Sequence, residues 1–390
     1  MKEKSWLSGS FFLYLFVSTT CAMPEVSLKH KIALGLIPRI GDVNARKLVS
    51  HFGSVEALFH EPYGNLIKIP GIGSVLAKYI SDRSYLDTAE KEVEYVNKNN
   101  IQTYFYLDNN YPFRLRQCED SPVIFFFMGD CDLNAVKILS VVGTRNATVR
   151  GKELCEKIIG GLAAGHPDLI IVSGLAYGID IASHKAALSN NLQTVGVLAH
   201  GFKTMYPSIH ASTAKAIVKQ GGLLTDFISG ELPERNNFLK RNRIIAGLSD
   251  ATLVVESGIK GGALITADIA GSYNRDVFAV PGRPEDQWSA GCNNLIKYNK
   301  AALTECSDDI EYFLNWKPEK TKPPVQRTLF SDLDDKEKQV YELLMKQGEL
   351  NIDAICRLIE IPIHKLSSLL LQMEFKGLVN CYPGNVYRIN

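Results

Sequence analysis

Along this chain the spacing of apolar residues switches between helical and strand-like repeats, and the switches mark its parts. From Ser27 to about Ser84 the spacing is helical, interrupted at Ile40-Gly41 and at Ile69-Pro70-Gly71-Ile72-Gly73. Residues 93–134 mix aromatics with the turn signals Tyr111-Pro112 and Ser121-Pro122, and Val123 to Met128 reads as a buried strand. That stretch predicts a short β-containing bridge. After Ile138 the pattern becomes strand, glycine turn and amphipathic helix, repeated. Strands are predicted at 138–142, from Leu169, at 194–198, 251–256 and 276–280, with helices near 151–164 and 179–189. Such alternation implies a parallel sheet covered on both faces, with its ligand at the carboxyl ends of the strands. Trp316 to Ser331, with Pro318, Pro323 and Pro324, reads as a linker. Helical patterns at 333–346, 352–359 and 363–376, closed by a hairpin at 382–387, then give the order of a winged helix. The expected divisions are 1–22, 23–92, 93–316, 317–331 and 332–390.

Two of the predicted strands end in turns of phosphate size. The run ending at Val142 breaks at Gly143-Thr144-Arg145, and the run ending at Val172 breaks at Ser173-Gly174. A glycine directly after a buried strand lets the backbone turn sharply and offer N–H groups to an anion, and the following helix adds its positive end. An arginine in the turn favours phosphate over a neutral ligand. Further on, Arg235, Lys240, Arg241 and Arg243 surround Phe238, with Asn242 among them and no acid inside the window. Cations track a phosphate chain and an aromatic face stacks on unpaired bases, so this mixture suits single-stranded nucleic acid. A solvated basic helix face produces the same pattern. Pro70-Gly71-Ile72-Gly73 between short helices is similar to a helix-hairpin-helix turn, in which Gly71 and Gly73 bring backbone N–H groups to a DNA phosphate. A tight helix–helix turn that binds nothing reads identically.

Composition narrows the classes. At 390 residues the chain is too long for one ordinary core, and 46% hydrophobic with 22% charged residues is a globular balance. The net charge of +1 means that any nucleic-acid contact comes from local patches. From Asp335 to Asn390 there are seven Lys/Arg and seven Asp/Glu, so the last module is neutral and a weak candidate for duplex binding. The cysteines at 21, 118, 131, 155, 292, 306, 356 and 381 form no C-x-x-C pair, which argues against a zinc site or disulfide framework and suits a reducing compartment. Lys2 and Lys4 ahead of the apolar stretch to Val17, with small residues around Ala22, look like a secretory signal. The character of everything downstream favours instead an upstream extension, with translation starting at Met23, and a cytoplasmic protein. The apolar piece is too short for an anchor, so no membrane contact is expected.

Taken in order, these motifs resemble the DNA-processing protein A family, also called DprA or Smf. The matching blocks are Val142-Gly143-Thr144-Arg145; Ser173-Gly174-Leu175-Ala176-Tyr177-Gly178-Ile179-Asp180 with His184; Tyr206-Pro207; Arg241-Asn242-Arg243-Ile244-Ile245; Gly262-Ala263-Leu264-Ile265-Thr266-Ala267; and Val280-Pro281-Gly282 followed by Gly291. Departures are Thr144 where the family more often has serine, Leu239-Lys240 in place of a proline-containing approach, and no glycine directly before Ala301. The resemblance implies an α/β fold: an extended Rossmann-like parallel sheet with an N-terminal helix-hairpin-helix, SAM-like domain and a C-terminal winged helix. It further implies a cytoplasmic homodimer that coats incoming single-stranded DNA and loads RecA recombinase during transformation and recombination. No cofactor, metal or catalytic residue is implied. By matched position the strand pocket would comprise Gly143, Thr144, Arg145, Gly174, Arg235, Phe238, Lys240, Arg241, Asn242 and Arg243, with Lys260, Gly261 and Gly262 beside it. Arg145 with Arg241 or Arg243 would hold successive phosphates, Phe238 would stack a base, and N–H groups at Gly143 and Gly174 would complete the cradle.

Two rival readings remain. Relatives of such a sheet include phosphoribohydrolases, but Lys260-Gly261-Gly262-Ala263-Leu264-Ile265-Thr266-Ala267-Asp268 lacks their catalytic glutamate in register. Asp180 and His184, four residues apart on a helix, form either a base–orienter pair or a structural hydrogen bond. Dinucleotide redox chemistry lacks the second and third glycines after Gly143. The other rival is an adaptor whose flanking domains dock proteins while the sheet serves as scaffold.

Overall fold

The computed structural model describes residues 27–316, 333–382 and 385–389. The signal-like segment, most of the linker and the tip of the last hairpin lie outside them. The chain forms two compact units, divided at Lys317/Pro318.

Helices α1 (Leu28–Leu36), α2 (Asp42–Phe52), α3 (Val55–His60), α4 (Tyr63–Leu66), α5 (Ser74–Ser81) and α6 (Ser84–Lys98) open the first unit. Strands β1 (Gln102–Phe105) and β2 (Ile124–Gly129) follow, with α7 (Phe113–Arg116) between them. The wound part then runs β3 (Ile138–Val142), α8 (Val149–Gly165), β4 (Ile170–Ser173), α9 (Ile179–Ser189), β5 (Gln193–Val197), α10 (Ala211–Gln220), β6 (Gly221–Thr225), α11 (Arg235–Leu248), β7 (Ala251–Val254), α12 (Gly262–Ser272), β8 (Asp276–Ala279), α13 (Ala290–Lys297), β9 (Ala302–Leu303) and α14 (Ser307–Phe313). All nine strands form one sheet in the order β1-β2-β6-β5-β4-β3-β7-β8-β9. From β6 through β9 neighbouring strands are parallel, whereas β1 and β2 are antiparallel additions.

Strand residues alternate between two cores. Ile138, Val142, Ile170 and Val172 face one cluster, while Leu139, Val141 and Ile171 face the other. A strand buried on both faces needs no polar alternation, and its near-continuous apolar reading follows. Residues 93–134 are more than a bridge: β1 and β2 belong to the main sheet. Phe125 and Phe127 enter the sheet core, and Ile124 and Phe126 enter the core of the helical segment, so β2 joins both. Strand β6 begins with Gly221-Gly222 because neighbours press on it. A Cβ at Gly222 would lie 2.2 Å from the Phe127 ring, and one at Gly221 would lie 2.1 Å from the Thr194 carbonyl oxygen.

The second unit contains α15 (Asp335–Gln347), β10 (Glu349–Asn351), α16 (Ile352–Ile359), α17 (Ile363–Phe375), β11 (Val379–Tyr382) and β12 (Val386–Ile389), with its own three-stranded sheet in the order β10-β12-β11. Asp334 and Glu337 form a capping box at α15, and Lys376 holds the buried Glu337 carboxylate at 2.6 Å. Val340, Leu344, Ile355, Leu366, Leu370 and Met373 fill the core. This is the expected winged helix.

Candidate nucleic-acid interface

The order of the sheet reverses between β3 and β7, the position at which open α/β folds take their ligands. Here the position is filled from within. Thr148 caps α8, its hydroxyl accepting from the Gly151 N–H at 3.0 Å. The Glu256 carboxylate sits on the same helix start, accepting the Thr148 N–H at 2.9 Å and its hydroxyl at 2.5 Å. Gly151 gives it room, since a Cβ there would lie 2.2 Å from the carboxylate carbon. A carboxylate therefore stands where a helix start would otherwise hold a phosphate.

The two glycine turns are likewise spent internally, and here the expectation of a backbone cradle needs correction. The Thr144 N–H donates to the Glu256 carbonyl at 2.7 Å, and the Thr144 carbonyl accepts from Ile179 N–H at 3.2 Å. Gly143 serves packing, because a Cβ there would meet Ile179 at 2.4 Å. The Gly174 and Ala176 N–H groups bond the buried Asp180 carboxylate. Gly174 also makes space for Arg241: a Cβ there would lie 1.7 Å from Nη1. Burial pushes the Asp180 carboxyl up, and the Arg241 guanidinium, the Ala176 N–H and Arg145 pull it back.

What these turns build is a platform. Arg145 is exposed, and its guanidinium lies 5.1 Å from the centre of the Phe238 ring; Arg241 approaches the same ring at 6.0 Å. Arg241 is almost wholly buried, with Nη1 donating to the Val197 carbonyl at 2.8 Å. Burial lowers its pKa to about 10, against the pull of Asp180, so it remains a cation at neutral pH. Tyr206 meets Phe238 edge-on at 5.8 Å. Arg145, Phe238, Arg241 and the backbone around Gly143 and Gly174 thus converge at the carboxyl edge of the sheet.

Arg243 does not join them, and its expected part in the phosphate row is corrected. Helical geometry places residues 241 and 243 on opposite sides of α11. Arg243 Nη2 lies 2.5 Å from Asp226 and 3.2 Å from Asp42, and its Nη1 donates to the Asp120 carbonyl. Lys240 shares that side, lining a cleft of about 540 Å³ between the helical segment and the sheet. Four carboxylates, from Asp42, Asp120, Asp226 and Glu231, line this cleft against two cations. Such a lining repels a polyanion. The basic block is therefore split between two faces, and the single shelf read from sequence divides in two.

Among the remaining expected residues, Arg235 is exposed at the start of α11 and Asn242 is half-buried. Lys260 is exposed in the turn after β7, with Gly261 capping α12 and Gly262 open to solvent. No hydrogen bond, ion pair or ring contact among the described residues joins this turn to the Arg145–Phe238 platform. Asp180 and His184 are both buried. His184 shares a 2.7 Å hydrogen bond with Thr194, and burial lowers its pKa to about 3. The imidazole is thus a neutral internal partner.

Gly71 adopts a φ of +88°, Gly73 starts α5 without a side-chain cap, and a Cβ at either would meet nothing within 4 Å. The hairpin is open to an approaching backbone. One signal went unread in this region. Ile37-Pro38-Arg39-Ile40-Gly41 repeats Ile69-Pro70-Gly71-Ile72-Gly73 at an offset of 32 residues, and Val43 and Ala45 match Val75 and Ala77. Arg39 takes the left-handed φ of +63° that Gly71 takes in the second copy. The copies diverge at the next position: Asp42 accepts from the Val123 N–H at 2.8 Å and pairs with Arg243, whereas Ser74 is exposed. The first hairpin is docked inward.

In the second unit the stretch 366–375 of α17 contains no lysine or arginine, and Leu371 and Phe375 are exposed. No helix among the described residues is long and apolar enough to cross a membrane, and no group of three or more potential metal ligands occurs among them.

Fold and site together define a doubly wound α/β protein with a cation–aromatic platform at the carboxyl edge of its sheet, preceded in the chain by a hairpin-bearing helical segment and followed by a winged helix. Residues 102–315 match the family model for DNA recombination-mediator protein A, residues 31–92 a helix-hairpin-helix motif, and residues 321–385 the DprA winged helix domain. A putative DNA processing protein DprA from Mycobacterium tuberculosis is 32% identical over 350 residues, covering 86% of this chain and 88% of the relative. The X-ray structure of DNA processing protein A from Streptococcus pneumoniae superposes with a TM-score of 0.61 at 30% identity, covering 74% of this chain and 98% of that one. A structure of DNA processing protein A from Helicobacter pylori, described for its single-stranded DNA binding mode, gives a TM-score of 0.50 at 25% identity, covering 55% and 96%. The chain belongs to the DprA/Smf family of DNA recombination mediators.

Proposed function

We propose that this protein binds single-stranded DNA on the Arg145–Phe238–Arg241 platform, shields it and passes it to RecA recombinase in the cytoplasm, acting as a homodimer. The observation that carries the DNA reading is the pair of guanidinium groups on one half-exposed aromatic ring at the ligand-bearing edge of the sheet. The exposed Arg145 holds a phosphate without reading sequence, the buried Arg241 adds its charge behind the ring, and the ring accepts any base. The single-stranded DNA binding described for the Helicobacter pylori relative supports the same reading. The homodimer and the hand-over to RecA rest on family membership. Gly71 and Gly73 supply a second backbone contact, open and close to Lys68 and Lys78 in sequence. Lys260, Gly261 and Gly262 lie on the strand's outer path, and Arg243 and Lys240 stand off it.

Labelled single- and double-stranded oligonucleotides titrated at several salt concentrations test this. Single strands should bind more tightly, with affinity falling steeply as salt rises. Arg145→Ala should flatten the log–log salt slope by about 0.7, the share of one single-strand phosphate. Phe238→Ala should cost about 1–3 kcal/mol with little change of slope. Equal binding of single and double strands, with neither variant having an effect, would refute the site.

A further inference from the structure

We infer that Tyr206 and Tyr177 are additional base-stacking residues, so that the platform holds a turned strand on three separate aromatic faces rather than a continuous stack on one. This rests on the strand site proposed above. Tyr206 is 43% and Tyr177 46% exposed, so each ring keeps surface that a base could cover beside the platform. Neither phenol hydroxyl forms a hydrogen bond among the described residues, so no internal polar tie accounts for either ring. Both are placed by the frame of the site. Tyr177 precedes Gly178, whose φ is +80° and whose Cβ would strike the Thr144 carbonyl oxygen at 2.1 Å and the Arg145 carbonyl carbon at 2.7 Å. Tyr177 therefore stands immediately beside the Arg145 turn. Its ring meets His210 edge-on at 5.1 Å, and His210 in turn is bonded to the Leu175 carbonyl at 2.8 Å. Tyr206 is fixed from the other side: its N–H donates to His200 Nε2 at 3.2 Å, and its ring stands at 66° to Phe238.

The angle decides the ligand's shape. A base lying flat on Phe238 is edge-on to a base lying flat on Tyr206, so two nucleotides using these rings cannot stack on each other. The backbone between them must turn, and Arg145, 5.1 Å from the Phe238 ring that Tyr206 meets, is placed to hold the phosphate at the turn. A duplex, whose bases stay stacked and paired, cannot adopt this arrangement, so the rings select for unpaired DNA.

The test compares an oligothymidylate with an abasic oligonucleotide of equal length, which keeps the phosphates and removes the stacking faces. Tyr206→Leu and Tyr177→Leu, which keep bulk without a π-face, should each weaken oligothymidylate binding about 5- to 150-fold. The salt slope should be unchanged, and abasic binding should not move. Tyr206→Phe and Tyr177→Phe should bind as the unaltered protein. If both leucine variants bind oligothymidylate normally while Phe238→Ala loses affinity, the inference falls and the site stands. If Phe238→Ala is also without effect, the site itself falls. Equal losses on abasic and base-bearing strands would assign the tyrosines a purely structural part and overturn the proposal.

Discussion

Arg243→Ala separates the two meanings of the basic block on α11. The side chain is 11% exposed and answers Asp226 at 2.5 Å, itself 9% exposed, and Asp42 at 3.2 Å. Removing one partner of a buried pair leaves the other charge stranded, at about 3–5 kcal/mol. The partly exposed Asp42 contact adds little to that. In urea the midpoint of the first unit should fall on the order of 1 M. The loss should also depend on pH. Burial already holds the Asp226 carboxyl above the ordinary carboxylate range, and Arg243 pulls it down. Without Arg243 the folded state keeps its proton to higher pH while the unfolded chain releases it near pH 4, so stability is lost as pH rises from there. The defect relative to the parent should be smallest near pH 4 and grow toward neutrality. Binding should respond differently: affinity for oligothymidylate falls only as far as α11 shifts, and the salt slope stays as it was. A variant of normal stability whose salt slope flattens by about 0.7 would show that Arg243 grips a phosphate, and the division of α11 into two faces would be wrong.

Two further outcomes follow from the same contacts. Gly178→Ala puts a Cβ 2.1 Å from the Thr144 carbonyl oxygen at a φ of +80°, so thermal unfolding should reveal a loss of at least about 1–3 kcal/mol, with weakened strand binding as the Arg145 turn shifts. Gly71→Ala, at a similar φ but in open space, should lose only about 1 kcal/mol of stability. His184, held neutral down to about pH 3, lets the unfolded chain take up a proton first. Its contribution is complete above pH 6.5 and shrinks below it by about 1.4 kcal/mol per pH unit, a component that His184→Gln should remove from the stability–pH curve.

The parallel strands were readable because burial on both faces left apolar runs ended by glycine. Strand β6 was not, since Gly221-Gly222 looks like a loop until the Phe127 ring is seen lying on it. Val123 to Met128 was readable as a strand, but its place in the main sheet was not, because its partner β6 lies about a hundred residues onward. At the site, residue types and their neighbourhood were legible: Arg145, Phe238 and Arg241 do meet. The face of the helix was the hidden variable. In the window 235–243 the cations read as one patch, and only the distant Asp42, Asp120 and Asp226 divert Arg243 from it. The hairpin repeat was legible throughout, in Ile-Pro-x-Ile-Gly written twice.

Glu256 on the cap of α8 carries a consequence for the whole molecule. Doubly wound sheets ordinarily keep that notch vacant for the pyrophosphate of a nucleotide, and the occupant fixes the ligand's size to whatever the notch encloses. With a resident acid lodged there, a mononucleotide has no socket to enter. On the proposed platform recognition moves outward onto the rims of β4, β5 and α11, where nothing bounds the guest along its length, and a fold suited to small molecules can accommodate a polymer.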